Sequence, residues 1–465
     1  MKNKLRNKKC ENLQVSRNFS LYLQKITFMI ESVPNIYQPE IVEKRIDHYL
    51  QLQATDLLKG INNEYLYWDK VKYKNKNTPL SALELWSAVK MSRLLNRQLL
   101  RFGNVLFHYN VTDYIQQSLH FFDMNIGGNL GSNIGIADTD KKKYLINSIM
   151  EEAISSSQME GAVTTRKKAK EMLQKELKPK SISDQMIFNN YITIQYILQH
   201  KNEDLTPEKL LYIHSLISKN TLDKNQEEGV FRTNNDIYVV NHVTSEVVHQ
   251  PPSYEEIPSL LNDLCHFFNE DSKDFIHPII KGIIVHFMVA WIHPFSDGNG
   301  RTARTLFYWY MLKKGYWLTE YLSISRIIQD TKNQYEKAYL YTENDENDLT
   351  YFITYHIKTM EKAYNALKDY ISRKQKEVIQ AARFLKIPNV NERQAQIIKL
   401  LYDDPDRILN SKEIENRYQT SNFTARSDLK GLVKLGFLDI IPVNKIKQSF
   451  VKSSEFDTIL KQYKI

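Results

Sequence analysis

The chain has 465 residues, 42% of them hydrophobic and 25% charged, with a net charge of +9. At roughly 100–200 residues per domain this predicts two to four domains of ordinary globular composition and excludes wholesale disorder. Only 14 glycines and 13 prolines occur beside 28 tyrosines and 20 phenylalanines, against about 7% glycine in an average chain, which excludes collagen-like and linker-rich architectures and favours long helices.

Residues 1–30 begin MKNKLRNKKC, basic like the start of a signal peptide. The stretch FSLYLQKITFMI that follows is short, is interrupted by Lys25 and lacks a small-residue cleavage site. The segment is read as a basic, poorly ordered extension. Cys10 and Cys265 are the two cysteines. They are too few for a disulfide scaffold or a four-cysteine zinc site, and point to a reduced, cytoplasmic compartment. No run of 18 or more apolar residues occurs, so no membrane partner is expected.

Residues 31–140 read as an N-terminal helical domain. PEIVEKRIDHYLQLQATDLLKGI and SALELWSAVKMSRLLNRQLLRF both repeat apolar residues at three and four, the second with Ser81 as N-cap. YWDKVKYK reads as a partly exposed face. Four glycines fall within 125–140, marking a loop; no Gly-Lys-Ser/Thr follows, so it is not a phosphate loop.

Residues 141–375 form the next unit, again helical. Thr206, Pro207 and Glu208 supply an N-cap, a first-turn proline and a first-turn acid. Over 236–249, two β-branched runs flank His242–Glu246 as a hairpin would. HPIIKGIIVHFMVAWIH is apolar nearly all round, which places it at the centre of a helical core, with His286 as a packed core residue. Residues 385–465 then give three short helices, Gly436 at a helix end, and two strands in FLDIIPV and KQSFVKS. That order predicts a winged helix-turn-helix. In FTARSDLKGLVKLG, Arg426, Lys430 and Lys434 recur every four residues. Such a face could meet DNA phosphates or stay solvated in a protein-interaction module, and the 13 basic against 10 acidic residues of 391–465 do not decide between them.

The chemistry concentrates between His293 and Arg304, in HPFSDGNGRTAR. An apolar helix ends at a histidine, a loop with two glycines follows, and a new helix opens with Arg301 and Arg304 on one face. Glycines let backbone N–H groups converge on one centre, and a helix N-terminus adds its dipole. The arginines offer bidentate donors to phosphate, Asp297 a hard oxygen for magnesium, and His293 a base near neutral pH. Together they read as phosphoryl or nucleotidyl transfer.

This segment resembles the Fic family signature, His-x-Phe-x-Asp/Glu-Gly-Asn-Gly-Arg-x-x-Arg, at every fixed position, and the resemblance extends over about 140–360. It implies a mainly α structure: a Fido-fold helical core with a small β-hairpin flap, flanked by the N-terminal helical domain and the winged helix. It implies transfer of AMP from ATP to a protein Ser, Thr or Tyr hydroxyl. His293 would be the base and Phe295 the anchor of the loop. Asp297 would hold Mg2+. Gly298, Asn299 and Gly300 would cradle phosphate oxygens, Arg301 and Arg304 would neutralise the outer phosphates, and Tyr335 would line the adenine pocket. Ile237, Tyr238, Val239 and Val240 would form the flap edge. Upstream, Ser156, Glu160 and Gly161 resemble the family's inhibitory motif, with Glu160 pairing an arginine where the γ-phosphate would lie, and with water activation for AMP removal as a linked role. The implied partners are a protein target, with the chain itself as one alternative, and DNA through the C-terminal segment; a homodimer stays open. A DNA-binding regulator with a nucleotide-sensing Fic core is the other reading, and a different donor end, such as a phosphocholine carrier, the third.

Overall fold

The structure is a computed structural model that describes residues 30–127, 138–240, 247–270, 274–442 and 448–465. The expectation of disorder over 1–30 therefore falls outside the described residues, apart from Ile30, as do most of the glycine-rich 125–140 loop and the tip of the expected hairpin at 241–246.

In chain order the elements are α1 (Pro39–Leu52), α2 (Asp56–Glu64), α3 (Ala82–Asn96), β1 (Gln98–Phe102), β2 (Val105–Tyr109), α4 (Asp113–Asn125), α5 (Asp138–Met159), α6 (Arg166–Lys175), α7 (Ile182–Gln199) and α8 (Pro207–Ser218). Next come β3 (Val239–Val240), β4 (Val247–His249), α9 (Ile257–Asn269), α10 (Pro278–Ile292), α11 (Asn299–Lys313), α12 (Ile324–Asp330), α13 (Lys332–Asn344) and α14 (Thr350–Ala381). The chain closes with α15 (Glu392–Asp403), β5 (Leu409–Asn410), α16 (Ser411–Tyr418), α17 (Asn422–Lys434), β6 (Leu438–Pro442), β7 (Gln448–Lys452) and α18 (Phe456–Gln462). The fold is mainly α, as the composition predicts.

The chain groups into two compact units. One comprises residues 1–128, 196–317 and 328–360; the other comprises 129–195, 318–327 and 361–465. The 141–375 segment expected as one domain contributes to both.

In the first unit the helix starts follow the expected capping. Ser81 and Glu84 form a reciprocal capping box, and the Thr206 hydroxyl accepts from the Lys209 N–H ahead of Pro207. One expectation fails here. The helical pattern read through RLLNRQLLRF stops at Asn96, and β1 and β2 form a hairpin with Phe102 opposite Val105. The turn is Gly103-Asn104, with Gly103 at φ +55°, a two-residue turn that overrides the local helical spacing. The YWDKVKYK face is also more buried than expected at its start. Tyr67 is 1% exposed and stacks on Tyr341 at 4.0 Å, whereas Tyr73 is exposed.

α10 is buried without a break from Ile279 to Val289. Gly282 lets it lie close along α11, because a Cβ there would come within 3.1 Å of the Tyr310 ring. This pair of helices forms the centre of the first unit and fixes where the loop between them emerges. His286 is fully buried, as expected of a packed core residue, and bonds both Tyr335 and His356 at 2.9 Å.

In the second unit, α15, α16 and α17 pack around Ile398, Leu401, Leu429 and Leu432. The two expected strands pair as β6 and β7, and β5 adds a third in the order β5-β7-β6. β5, two residues long, and the closing helix α18 carry no visible signal in the sequence because neither is long enough to show a period. Gly436 has φ +82°, the left-handed conformation that ends α17.

Candidate active site

The loop from His293 to Gly298 is shaped by what its two helices cannot continue. Pro294 disfavours a helical His293, which closes α10 at φ +50°. Its Nδ1 lies 3.2 Å from the Ala290 carbonyl. A carbonyl only accepts, so Nδ1 carries the proton and Nε2 is the basic nitrogen of the neutral ring.

The loop is then tied to itself and to α8. Asn299 Oδ1 accepts from the Phe295 N–H at 3.0 Å, and its Nδ2 donates to the Phe295 carbonyl at 2.8 Å. The Asn299 side chain therefore braces the loop, where the resemblance implied a phosphate contact. Phe295 is fully buried, as expected of an anchor, and lies face to face with the His214 ring at 3.7 Å and 2°. His214 Nδ1 accepts from the Gly229 N–H at 3.0 Å, so its Nε2–H donates to the Asp297 carbonyl at 2.9 Å. Burial holds this imidazole down to about 4, neutral at physiological pH. Gly298 sits at φ +83°, and a Cβ there would stand 3.1 Å from His214 Nε2, so the glycine is required twice over.

With Gly298 as N-cap, α11 begins at Asn299, and its first N–H groups and dipole face the loop. Arg301 is fully buried. Its Nη1 donates to the Ile217 carbonyl at 3.2 Å, and Nη2 lies 3.6 Å from the Asp297 carboxylate. Arg304, one turn on, is 3% exposed and acts electrostatically on His286 and Tyr339. Tyr335 is half-buried in the same cluster, its hydroxyl 2.9 Å from His286 and 3.1 Å from Tyr339. The Asp297 side chain is 60% exposed.

Two further residues hold the far side. Arg232 is buried and donates from Nε to the His293 carbonyl at 2.9 Å, while its own N–H donates to Pro294 at 2.9 Å. Its remaining donors reach Asn234, Pro252 and Ile292, which fastens the residues leading into β3 to the end of α10. His249 of β4 donates from Nε2 to the Trp291 carbonyl at 2.8 Å and pairs with Glu343 through Nδ1 at 2.9 Å. Burial opposes its charge, but the Glu343 carboxylate outweighs it and raises the pKa. Val239 and Val240 form β3 as expected; Ile237 and Tyr238 precede it as irregular chain and are not strand residues.

The other expected residues lie in the second unit. α5 ends at Met159, Glu160 follows in the turn, and Gly161 has φ +94°, as a helix-ending glycine should. Ser156 is buried. Arg426, Lys430 and Lys434 are all exposed on α17.

Sequence reasoning missed His214, Arg232 and His249. Each lies 40 to 85 positions from the loop it supports, on segments whose local pattern announces only a helix, a coil or a strand. No group of three His, Cys, Asp or Glu among the described residues could hold a metal ion, and no described helix is long and apolar enough to cross a membrane.

Compared with known proteins, residues 204–311 match the family model of the Fic/DOC family. The chain is 29% identical over 146 residues to "Protein adenylyltransferase Fic" of Drosophila mojavensis, covering 31% of this chain and 24% of that protein. It is 32% identical over 123 residues to the protein of that name in Aedes aegypti, covering 26% and 23%. The chain thus spans about a quarter of the length of these curated relatives. A crystal structure of a Fic family protein from Desulfovibrio desulfuricans G20 aligns at 18% identity and TM-score 0.43, covering 68% of this chain and 89% of that one. The match takes in α8, the expected hairpin, α10 and the His293–Arg304 loop, and residues 204–311 are a Fic/DOC family domain.

Proposed function

We propose that the chain is a protein adenylyltransferase that moves AMP from ATP to a hydroxyl side chain of a protein. The observation that carries the reading is the meeting, at the start of α11, of one basic imidazole nitrogen, a fixed N-terminal helix turn and two buried guanidinium groups. The names of the curated relatives support the same chemistry.

In this reading the helix N-terminus and the Gly298–Gly300 backbone receive phosphate oxygens, and Arg301 and Arg304 offset the charge of the outer phosphates. His293 Nε2 takes the proton of the target hydroxyl. That oxygen forms a bond to the α-phosphorus as the bond to the β-phosphate oxygen breaks, and pyrophosphate leaves. The Asp297 carboxylate is an exposed single hard donor. It suits magnesium, which takes one or two carboxylates and otherwise phosphates and water, and when bound the ion would neutralise phosphate charge. The edge of β3 would align the target chain by strand addition. Tyr335, beside Arg304's neighbours, would border the adenine. Glu160, at the end of α5, would restrain the reaction by competing for an arginine.

Incubating the protein and candidate targets with ATP labelled at the α- or at the γ-phosphate tests this. Covalent label is expected from the α-position only, with release of pyrophosphate. Label from the γ-position would replace nucleotidyl by phosphoryl transfer.

One observation favours an additional nucleic-acid role. α17 presents Arg426, Lys430 and Lys434 to solvent at spacing four and is followed by the antiparallel pair β6 and β7. Retention of duplex DNA by the full chain, and its loss in Arg426→Ala/Lys430→Ala, would support it.

A further inference from the structure

The second unit contains a cavity of about 550 Å³, within the range of roughly 300–1,000 Å³ typical of small-ligand sites. It lies among α6, the C-terminal part of α14, α15 and α16. Lys167 and Lys170 of α6 and Arg417 of α16 line it, together with the half-buried rings of Tyr370 and Tyr418. A smaller cavity of about 70 Å³ shares Lys170 and Tyr370 with it and adds Glu151 and Arg326.

The charges around Lys170 do not balance. Its Nζ lies 2.9 Å from Glu151, but Arg166 pairs with the same carboxylate. Arg326 and Arg417 act on the amine as well. Arg417 shares its own carboxylate, the buried Glu413, with Arg407. Lys170, Arg166, Arg326 and Arg417 thus gather where Glu151 and Glu413 are the paired carboxylates, and Glu413 is shared with Arg407. The acids on the opposite wall are engaged elsewhere: Glu171 by Lys175, Glu377 by Lys374, Asp403 by Lys399 and Asp404 by Arg407. Asp406 is exposed at the rim. Burial, reinforced by the three arginines, holds the Lys170 amine down to about 8.

Excess positive charge in a recess is costly until an anion neutralises it, and guanidinium groups match phosphate oxygens in pairs. We propose that this cavity binds a small phosphate-bearing molecule, with Lys170 and Arg417 on its phosphates and Tyr370 and Tyr418 against its less polar part. The site does not depend on the adenylyltransferase reading, because every residue in it lies outside the Fic motif.

Pyridoxal 5′-phosphate is a direct probe on the full chain. Its aldehyde condenses with an unprotonated lysine amine, releasing water, and borohydride then reduces the imine to a stable secondary amine that peptide mass mapping locates. The Lys170 side chain is 31% exposed and within reach. At pH 8 an amine titrating near 8 is labelled at least about tenfold more than lysines of ordinary pKa. Inorganic pyrophosphate should protect Lys170, and pyridoxal without its phosphate should label it poorly. Arg417→Gln should weaken that protection about tenfold, the worth of one charge-assisted hydrogen bond, with its unliganded melting temperature checked against wild type. Labelling spread over surface lysines, or labelling of Lys170 that pyrophosphate leaves unchanged, would overturn the proposal, and both are read on the wild-type chain alone.

Discussion

α11 and α17 both carry cations at helical spacing, and they use them in opposite ways. α11 buries Arg301 and Arg304 at 0% and 3% exposure, against backbone carbonyls and a neutral His–Tyr cluster. α17 holds Arg426, Lys430 and Lys434 in solvent, with its apolar face on Ala425, Leu429 and Leu432. A charge removed from water acts strongly and at a fixed point, which suits one small anion in one pose. A charge in water is screened within about 8–10 Å and suits a long polyanion met along its length. Spacing alone therefore does not separate the two settings; burial does.

The sharpest break of this comparison is at the base. His293→Ala should lower AMP transfer about 10³-fold or more, within the range of roughly 10²–10⁴ for removing a general base, measured as α-label incorporated per minute. Unchanged transfer would take the chemistry away from this loop. Arg304→Gln should cost about 10²-fold in kcat/KM for ATP, because a buried charge-assisted hydrogen bond to phosphate goes unmade. A comparable change at Lys430 should leave that parameter unaltered. Glu160→Gly tests restraint of the same site and should raise transfer about tenfold, the worth of one ionic hydrogen bond. Equal rates would leave Glu160 as a helix-terminal turn residue.

Much of this was legible in the sequence. The capping residues Ser81 and Thr206, the all-round apolar α10 and the His293–Arg304 order are local patterns, and local patterns survive folding. The three C-terminal helices and the β6–β7 pair were legible for the same reason. What was not legible is non-local or short. Gly103-Asn104 is a two-residue hairpin signal that directly follows an apparent helical repeat running to Phe102, so the longer pattern concealed it. His214 sits on a helix whose apolar spacing says nothing of Phe295, 81 positions later. Asn299 looked like a ligand residue, but in the folded loop both ends of its amide are engaged by the Phe295 backbone.

His214 gives a finer test of the buried arrangement, as a positioning residue. His214→Phe retains a ring against Phe295 but loses the donor to Asp297 and the acceptor for Gly229. It should lower kcat about tenfold through a misplaced loop, with KM for ATP changed less, and His214→Gln, which keeps a donor, should recover part of the rate. A purely packing role predicts the reverse order. The sign of the pH effect follows from its depressed pKa. Between about 6.5, its ordinary value, and about 4, the unfolded chain binds the proton and the folded chain does not. The wild type should thus lose stability as pH falls through that window, and His214→Phe should lose less, read as the difference of melting temperatures at pH 7 and pH 4.5.

The smallest expected effect lies on α17, where exposure makes each cation weak singly. If this face meets DNA phosphates, Arg426→Ala/Lys430→Ala should weaken retention uniformly across sequences and reduce the slope of log affinity against log salt by about 2, one for each phosphate no longer neutralised. Asp428, on the other face of α17, is held by Arg393 at 2.7 Å and meets the start of α15 through Asn391. The double variant leaves that ion pair intact, so the bundle should melt as wild type does. A slope unchanged by the substitutions would assign the exposed cations of α17 to solvation.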